Sequence, residues 1–240
     1  MKNLLLGTLL AGLALTLAAP LGSASFFQQV KAYENAELKA GKVTIHTVII
    51  LPPQIEMRKS KVKSSEELTD VEHKLEETVP RILRDVLSQH GCNVLKSRFS
   101  KKALLSNTDL KYTLADIQKQ FDTLDNKIER KPEDVRQGRF SLGYVVNKLN
   151  AGGEADAVIF VRGNGALKTG GKMLVSGLTG HGAAMQFLTE IAVVDARTGK
   201  VLYYTYVIER RPDLLVKRPA RLTKPITKGF KKFPGPKASK

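Results

Sequence analysis

The stretch Ala155-Asp156-Ala157-Val158-Ile159-Phe160-Val161, read together with the segment from Phe187 to Tyr203, decides the fold. The first is an unbroken run of apolar, largely β-branched and aromatic residues, the signature of a strand covered on both faces. In the second, Phe187, Thr189, Ile191 and Val193 alternate with Leu188, Glu190 and Ala192. A turn at Asp195-Ala196-Arg197-Thr198-Gly199-Lys200 follows, and Val201 to Ile208 returns, so the pair reads as a β-hairpin. Asp195 at the head of the turn and Asp156 at the opening of the strand stand where a carboxylate hydrogen-bonds backbone amides, which is a structural role rather than a catalytic one. Tyr204 and Tyr206 share one strand face and Tyr203 takes the other, as packing residues.

Working outward, Lys42 to Leu51 reads as a central strand rich in β-branched residues and ended by Pro52-Pro53. Ser64 and Glu67 suggest a capping box, after which Leu68, Val71, Leu75, Val79, Ile82, Leu83, Val86 and Leu87 recur at helical steps. Pro80 is expected to kink or split that helix, and Gly91 to end it. Cys92 to Phe99 reads as a second strand. Leu110, Leu114, Ile117, Phe121, Leu124 and Ile128 give a regular helical seam, too short for a coiled coil and therefore laid on the sheet. Pro132 starts a third helix that Gly152-Gly153 ends. The expectation is an α/β fold: a mixed sheet of about five strands with helices packed on it, ending in a C-terminal β-hairpin. Residues 42–209 form this domain, and residues 25–41 precede it as an N-terminal helix.

Composition agrees with a packed domain, since 42% hydrophobic and 26% charged residues exclude wholesale disorder and a multi-span membrane protein. The start, Met1-Lys2-Asn3 followed by the apolar run Leu4 to Ala19 and the small residues Gly22 and Ala24, reads as a secretory signal peptide over residues 1–24. The run falls short of the roughly 20 residues that span a bilayer, and no later segment is long enough, so the expected location is periplasmic or secreted, with no transmembrane segment after leader removal. Cys92 is the single cysteine, which excludes an internal disulfide and a multi-cysteine metal site; it reads as a small core residue.

The strand end Val48-Ile49-Ile50-Leu51-Pro52-Pro53, the helix closing on Gly91 before Val94, the run Glu154 to Ile159 and the run Val193 to Tyr203 together resemble a bacterial envelope superfamily. Its members include the curli secretion lipoprotein, the lipoproteins that activate penicillin-binding proteins, and the N-terminal domain of TolB. The resemblance covers about residues 42–209. It implies an α/β domain that works by binding other envelope components, and it offers no catalytic residue to transfer. The lipidated cysteine of the first two groups is missing here, where Ser25-Phe26-Phe27 follows the leader.

A search for chemistry leaves little. Gly163 to Gly182 is glycine-rich, but Ala166 stands where a phosphate-binding loop needs glycine and Met173 where it needs Ser or Thr, so the segment reads as a connection with Lys168 and Lys172 as candidate anion contacts. His46, His73, His90 and His181 have no metal-binding spacing, and Ser176 lacks a nucleophile elbow, so no metal, cofactor or catalytic residue is implied. The excess of 39 Lys+Arg over 23 Asp+Glu favours an anionic partner. Much of it lies in residues 210–240, where Arg210, Arg211, Lys217, Arg218, Arg221 and Lys224 join the candidate anion contacts. Interspersed with Pro212, Pro219, Pro225, Pro234 and Pro236, this stretch reads as a basic disordered tail.

The functional expectation is therefore an exported, non-catalytic binding or accessory protein in cell-envelope biogenesis, its partner an envelope protein or an anionic envelope polymer, with nucleic acid disfavoured by the leader. The alternatives are an extracytoplasmic hydrolase or ligand-binding enzyme using Gly163 to Gly182 as a lid, and a polyanion-binding protein acting through its tail.

Overall fold

The computed structural model describes residues 28–60, 65–96, 98–150, 153–168 and 186–236. The leader, Ser64, Lys172 and all of the glycine-rich segment beyond Lys168 lie outside them.

Among the described residues one mixed sheet holds eight strands, more than the sequence suggested. Its backbone is β6 (Ala157–Lys168), flanked on one side by the antiparallel hairpin β7 (Phe187–Asp195) and β8 (Val201–Glu209). On the other side β2 (Thr47–Ile50) and β3 (Gln54–Ser60) both run parallel to β6, one after the other, separated by the Leu51-Pro52-Pro53 break. The two-residue β5 (Asn93–Val94) pairs parallel with β2, and β4 (Ser65–Glu67) antiparallel with β3. The extra strands are β1, β3 and β4, and β6 itself runs on into the glycine-rich segment, so that Gly163 and Gly165 lie inside it and not in a lid. A Cβ there would stand 2.6 Å from Ile55 Cδ1 at Gly163 and 2.6 Å from Phe187 Cδ2 at Gly165. Glycine lets the Phe187 ring lie across the strand.

The N-terminal segment is a strand too. β1 (Gln28–Glu34) pairs antiparallel with β8 over its whole length, and only α1 (Ala36–Lys39), capped by Asn35, is helical. Val30 and Ala32 face one side and Tyr33 the other, an alternation that a vacant sheet edge selects over helix propensity.

Helices cover both faces, because alternate residues of β6 feed two cores: Ala157, Ile159 and Val161 one, Val158 and Phe160 the other. On the first face lies α2 (Thr69–Gln89), presenting Val71, Leu75, Val79, Leu83 and Val86. Pro80 neither splits nor ends it, since the buried stripe holds both halves on the sheet and the proline sits on the outer side. Ser65 and Glu67 belong to β4, so no capping box starts α2; Leu68 precedes it without a side-chain cap. Gly91, at φ +83°, ends the turn as expected. On the second face lies α4 (Thr108–Arg130), preceded by the short α3 (Lys101–Ser106). Its seam residues Leu114, Ile117, Phe121, Leu124 and Ile128 are buried, and Phe121 stacks on Phe160 with ring centroids 4.6 Å apart. The expected third helix is two 3₁₀ segments, Pro132–Val135 and Gly143–Leu149.

The largest correction concerns the C-terminus. Residues 212–236 are an ordered part of the first face: α5 (Pro212–Lys217), a 3₁₀ turn (Pro219–Leu222) and α6 (Thr223–Phe230). Leu215, Leu222, Ile226, Phe230 and Phe233 are buried against the core, and Tyr203 Oη donates a 2.6 Å hydrogen bond to the Gly229 carbonyl. Pro212, Pro219 and Pro225 occupy first turns, where the missing N–H has no partner to lose. The folded unit therefore extends beyond 42–209 at both ends.

Candidate functional site

After β2 the chain continues through β3 and β4 before it returns along the first face as α2, whereas leaving β5 it crosses to the second face as α3 and α4. Where outgoing connections of adjacent strands diverge, the carboxyl ends of the strands are left uncovered and a crevice forms. A cavity of about 780 Å³ opens there. Its floor is Ile50 to Pro53 with Val94 and Leu95; one wall is the outer side of α2, including Pro80, and the other is Phe99, Leu104 and Leu105. The size is that of a ligand or anchor pocket and the lining is chiefly apolar. Leu105 is 75% exposed at the rim.

The polar groups of the crevice have structural partners or stand in water. Ser100 Oγ caps α3 by accepting from the Ala103 amide at 3.3 Å, and His73 Nδ1 lies 3.1 Å from Glu76 Oε2. Arg84 and Lys111 are exposed at the edge. This arrangement can grip an apolar group and steer its polar neighbours. Among the described residues that line it, the one hydroxyl, Ser100, caps α3.

A second cluster, between α4 and the sheet, escaped sequence reading. Asp125 and Glu190 are 0% and 1% exposed, and with the exposed Glu129 they bring carboxylate oxygens within 4.8 Å of one another. Arg162 Nη1 donates to Asp125 Oδ2 at 3.2 Å, and Tyr204 Oη donates to Glu190 Oε1 at 2.8 Å. Burial, reinforced by the Asp125 charge, pushes the Glu190 carboxyl up to about 9, and burial raises Asp125 as well. Glu190 is accordingly protonated at neutral pH. The signal was present: Glu190 stands on the strand face of Leu188, Ala192 and Val194, and Asp125 borders the seam of α4.

The residues singled out from the sequence fall apart in space. Asp156 Oδ2 accepts from the His46 and Thr47 amides at 2.8 and 2.9 Å, and Asp195 Oδ1 from the Arg197 and Thr198 amides at 2.9 and 2.7 Å, the backbone roles expected of them. Although burial acts upward on Asp156, these donors hold its carboxyl below the usual range. Cys92 is buried with its thiol pushed up to about 11 by burial, a core residue as read. Of the candidate anion contacts, Lys217, Arg218 and Lys224 are exposed on the C-terminal helices, where Lys228 and Lys231 continue the α6 stripe. Arg210 is also exposed. Arg211 pairs with Asp213 at 3.0 Å, and Arg221 stands 3.9 Å from the buried Glu209. Lys168 ends β6.

The fold and crevice define an α/β domain with a mixed sheet sandwiched between two helical layers; among the described residues no helix is long and apolar enough to cross a membrane. No family model and no curated protein matches the chain. Among the solved structures that align with it are two PelC dodecamers from Paraburkholderia phytofirmans. One, a single-residue variant, shares 8% identity over 83% of this chain and 98% of that one; the other shares 10% over 82% and 96%. Both give a TM-score of 0.33, at which the alignment carries no argument about function and does not confirm the superfamily named above.

Proposed function

We propose that this is an exported accessory protein of the bacterial cell envelope that binds an envelope protein and performs no chemistry of its own. The observation that carries the reading is the crevice at the strand ends: an apolar cavity of about 780 Å³, open at Leu105, where the Ser100 hydroxyl and the His73 imidazole are already engaged by the Ala103 amide and the Glu76 carboxylate. Its occupant is an apolar segment of the partner, with Arg84 and Lys111 meeting acidic residues beside it. The leader read over residues 1–24 supplies the compartment. The test is affinity isolation from solubilised envelope of the native host with the wild-type chain and with Leu105→Asp, a change at an exposed site that leaves the fold intact. A discrete partner retained by the first and lost by the second is the expected result; equal retention, or turnover of a hydrolase substrate by the purified chain, would contradict the reading.

A second reading rests on a separate observation. Lys224 and Lys228 on the exposed side of α6 and Lys231 at its C-cap recur at steps of four and three, while the other side of the helix is buried through Ile226 and Phe230. This fixed cationic stripe, unlike a disordered tail, suits an anionic envelope polymer or lipid headgroups.

A further inference from the structure

The carboxylate cluster on the opposite side of the sheet from the C-terminal helices has a geometry that the crevice does not explain. Each of its two buried members is gripped by one oxygen only. Arg162 fixes Asp125 through Oδ2 and Tyr204 fixes Glu190 through Oε1, while Asp125 Oδ1 and Glu190 Oε2 are enclosed without a well-formed hydrogen bond of their own, the two carboxyls standing near enough to each other to share a proton. Leaving such atoms unpaired is costly, so they call for a proton or a cation between them.

We propose that Asp125, Glu129 and Glu190 form a binding site for a divalent cation that prefers hard oxygen ligands, calcium above all. Asp125 and Glu129 stand one helical turn apart on α4, and Glu190 comes across from β7, so three carboxylates converge from two directions. Their oxygens lie within 4.8 Å of one another, as ligands around one ion at calcium–oxygen distances of about 2.3–2.6 Å would. Arg162 and Tyr204 act as the outer groups that set the carboxylate rotamers and leave one oxygen of each directed at the ion. Glu129, exposed, marks the side from which a hydrated ion enters and keeps part of its water. The charge balance agrees. Asp122, Asp125 and Glu129 from α4 and Glu190 from β7 face Arg162 of β6 and the neutral Tyr204 of β8, with Glu56 of β3 acting on Asp122. A divalent ion offsets the excess negative charge.

Titrating calcium, then magnesium and manganese, into the chelator-treated full chain tests this by calorimetry and thermal melting. The expected result is one calcium per chain, binding at or below about 1 mM, with a raised melting temperature. Glu129→Gln, at an exposed position, should weaken calcium by about tenfold or more while melting like the wild type in chelator; Asp125→Asn should abolish it. The site is overturned if none of the three ions binds at about 10 mM, or if binding is unchanged in Glu129→Gln, in which case the two buried oxygens share the Glu190 proton and nothing else.

Discussion

The Asp156 carboxylate and the Thr47 amide, 109 residues apart in the chain, meet at 2.9 Å and tie the first residue of β2 to the residue that precedes β6. The same Oδ2 takes the His46 amide and the Thr47 hydroxyl, so one side chain satisfies the open end of β2 before pairing begins. Asp156→Ala should therefore cost about 2 kcal/mol of stability by denaturant unfolding, since it strands partly buried donors that a charged acceptor had satisfied. Because the folded-state carboxyl is held low, its contribution is present above the ordinary Asp range and is lost as pH falls through the depressed value. Asp156→Asn should lose most of this acid dependence.

Truncation before Pro212 should unfold the protein rather than trim it. Leu215, Ile226, Phe230 and Phe233 fill the first face, and Phe230→Ala alone should cost about 3–5 kcal/mol as a large-to-small change in a closed core. Limited proteolysis under native conditions should leave residues 212–236 attached; ready loss of this stretch from a chain that stays folded would contradict the packing.

Glu190 makes stability depend on pH in the opposite sense to Asp156. Its folded-state value is raised to about 9, so above the unfolded carboxyl range the native state holds a proton that the unfolded state has released. Stability from this group is complete below about pH 4.5 and falls as pH rises towards 9, with a slope on the order of 1 kcal/mol per pH unit. Equilibrium unfolding between pH 5 and 9 in chelator should show the decline, and Glu190→Gln, neutral throughout, should flatten it.

Reversing Lys224, Lys228 and Lys231 to Glu should abolish salt-sensitive binding to anionic vesicles or teichoic acid without moving the melting temperature, because all three side chains stand in water. Unchanged binding would remove the second functional reading.

The parts of the fold visible in the sequence are those where one physical signal acts alone. The apolar run of β6, the hairpin turn held by Asp195 and the seam of α4 each declare themselves by periodicity or turn chemistry. Residues 28–34 do not, because Gln28-Gln29-Val30-Lys31 becomes a strand only by pairing with β8, a partner distant in the chain. The C-terminal helices were concealed by charge and proline, although Leu222, Ile226 and Phe230 recur at steps of four with Phe233 three further on, a spacing that outweighs the lysines between them. The crevice and the carboxylate cluster were beyond local reading for one reason. Leu105 and Pro80, like Asp125 and Glu190, become neighbours only when α3 and α4 cross to the second face.

Site-specific photocrosslinking in intact cells of the native host tests the central claim most directly. A crosslinking side chain at Leu105, on the rim of the crevice, is compared with one at Tyr144, 78% exposed on the second 3₁₀ segment. The account predicts a discrete protein adduct from position 105 and none from position 144, suppressed when Arg84 and Lys111 are reversed to Glu at unchanged melting temperature. Adducts of equal yield from both positions, or an adduct at 105 indifferent to the two reversals, would contradict it.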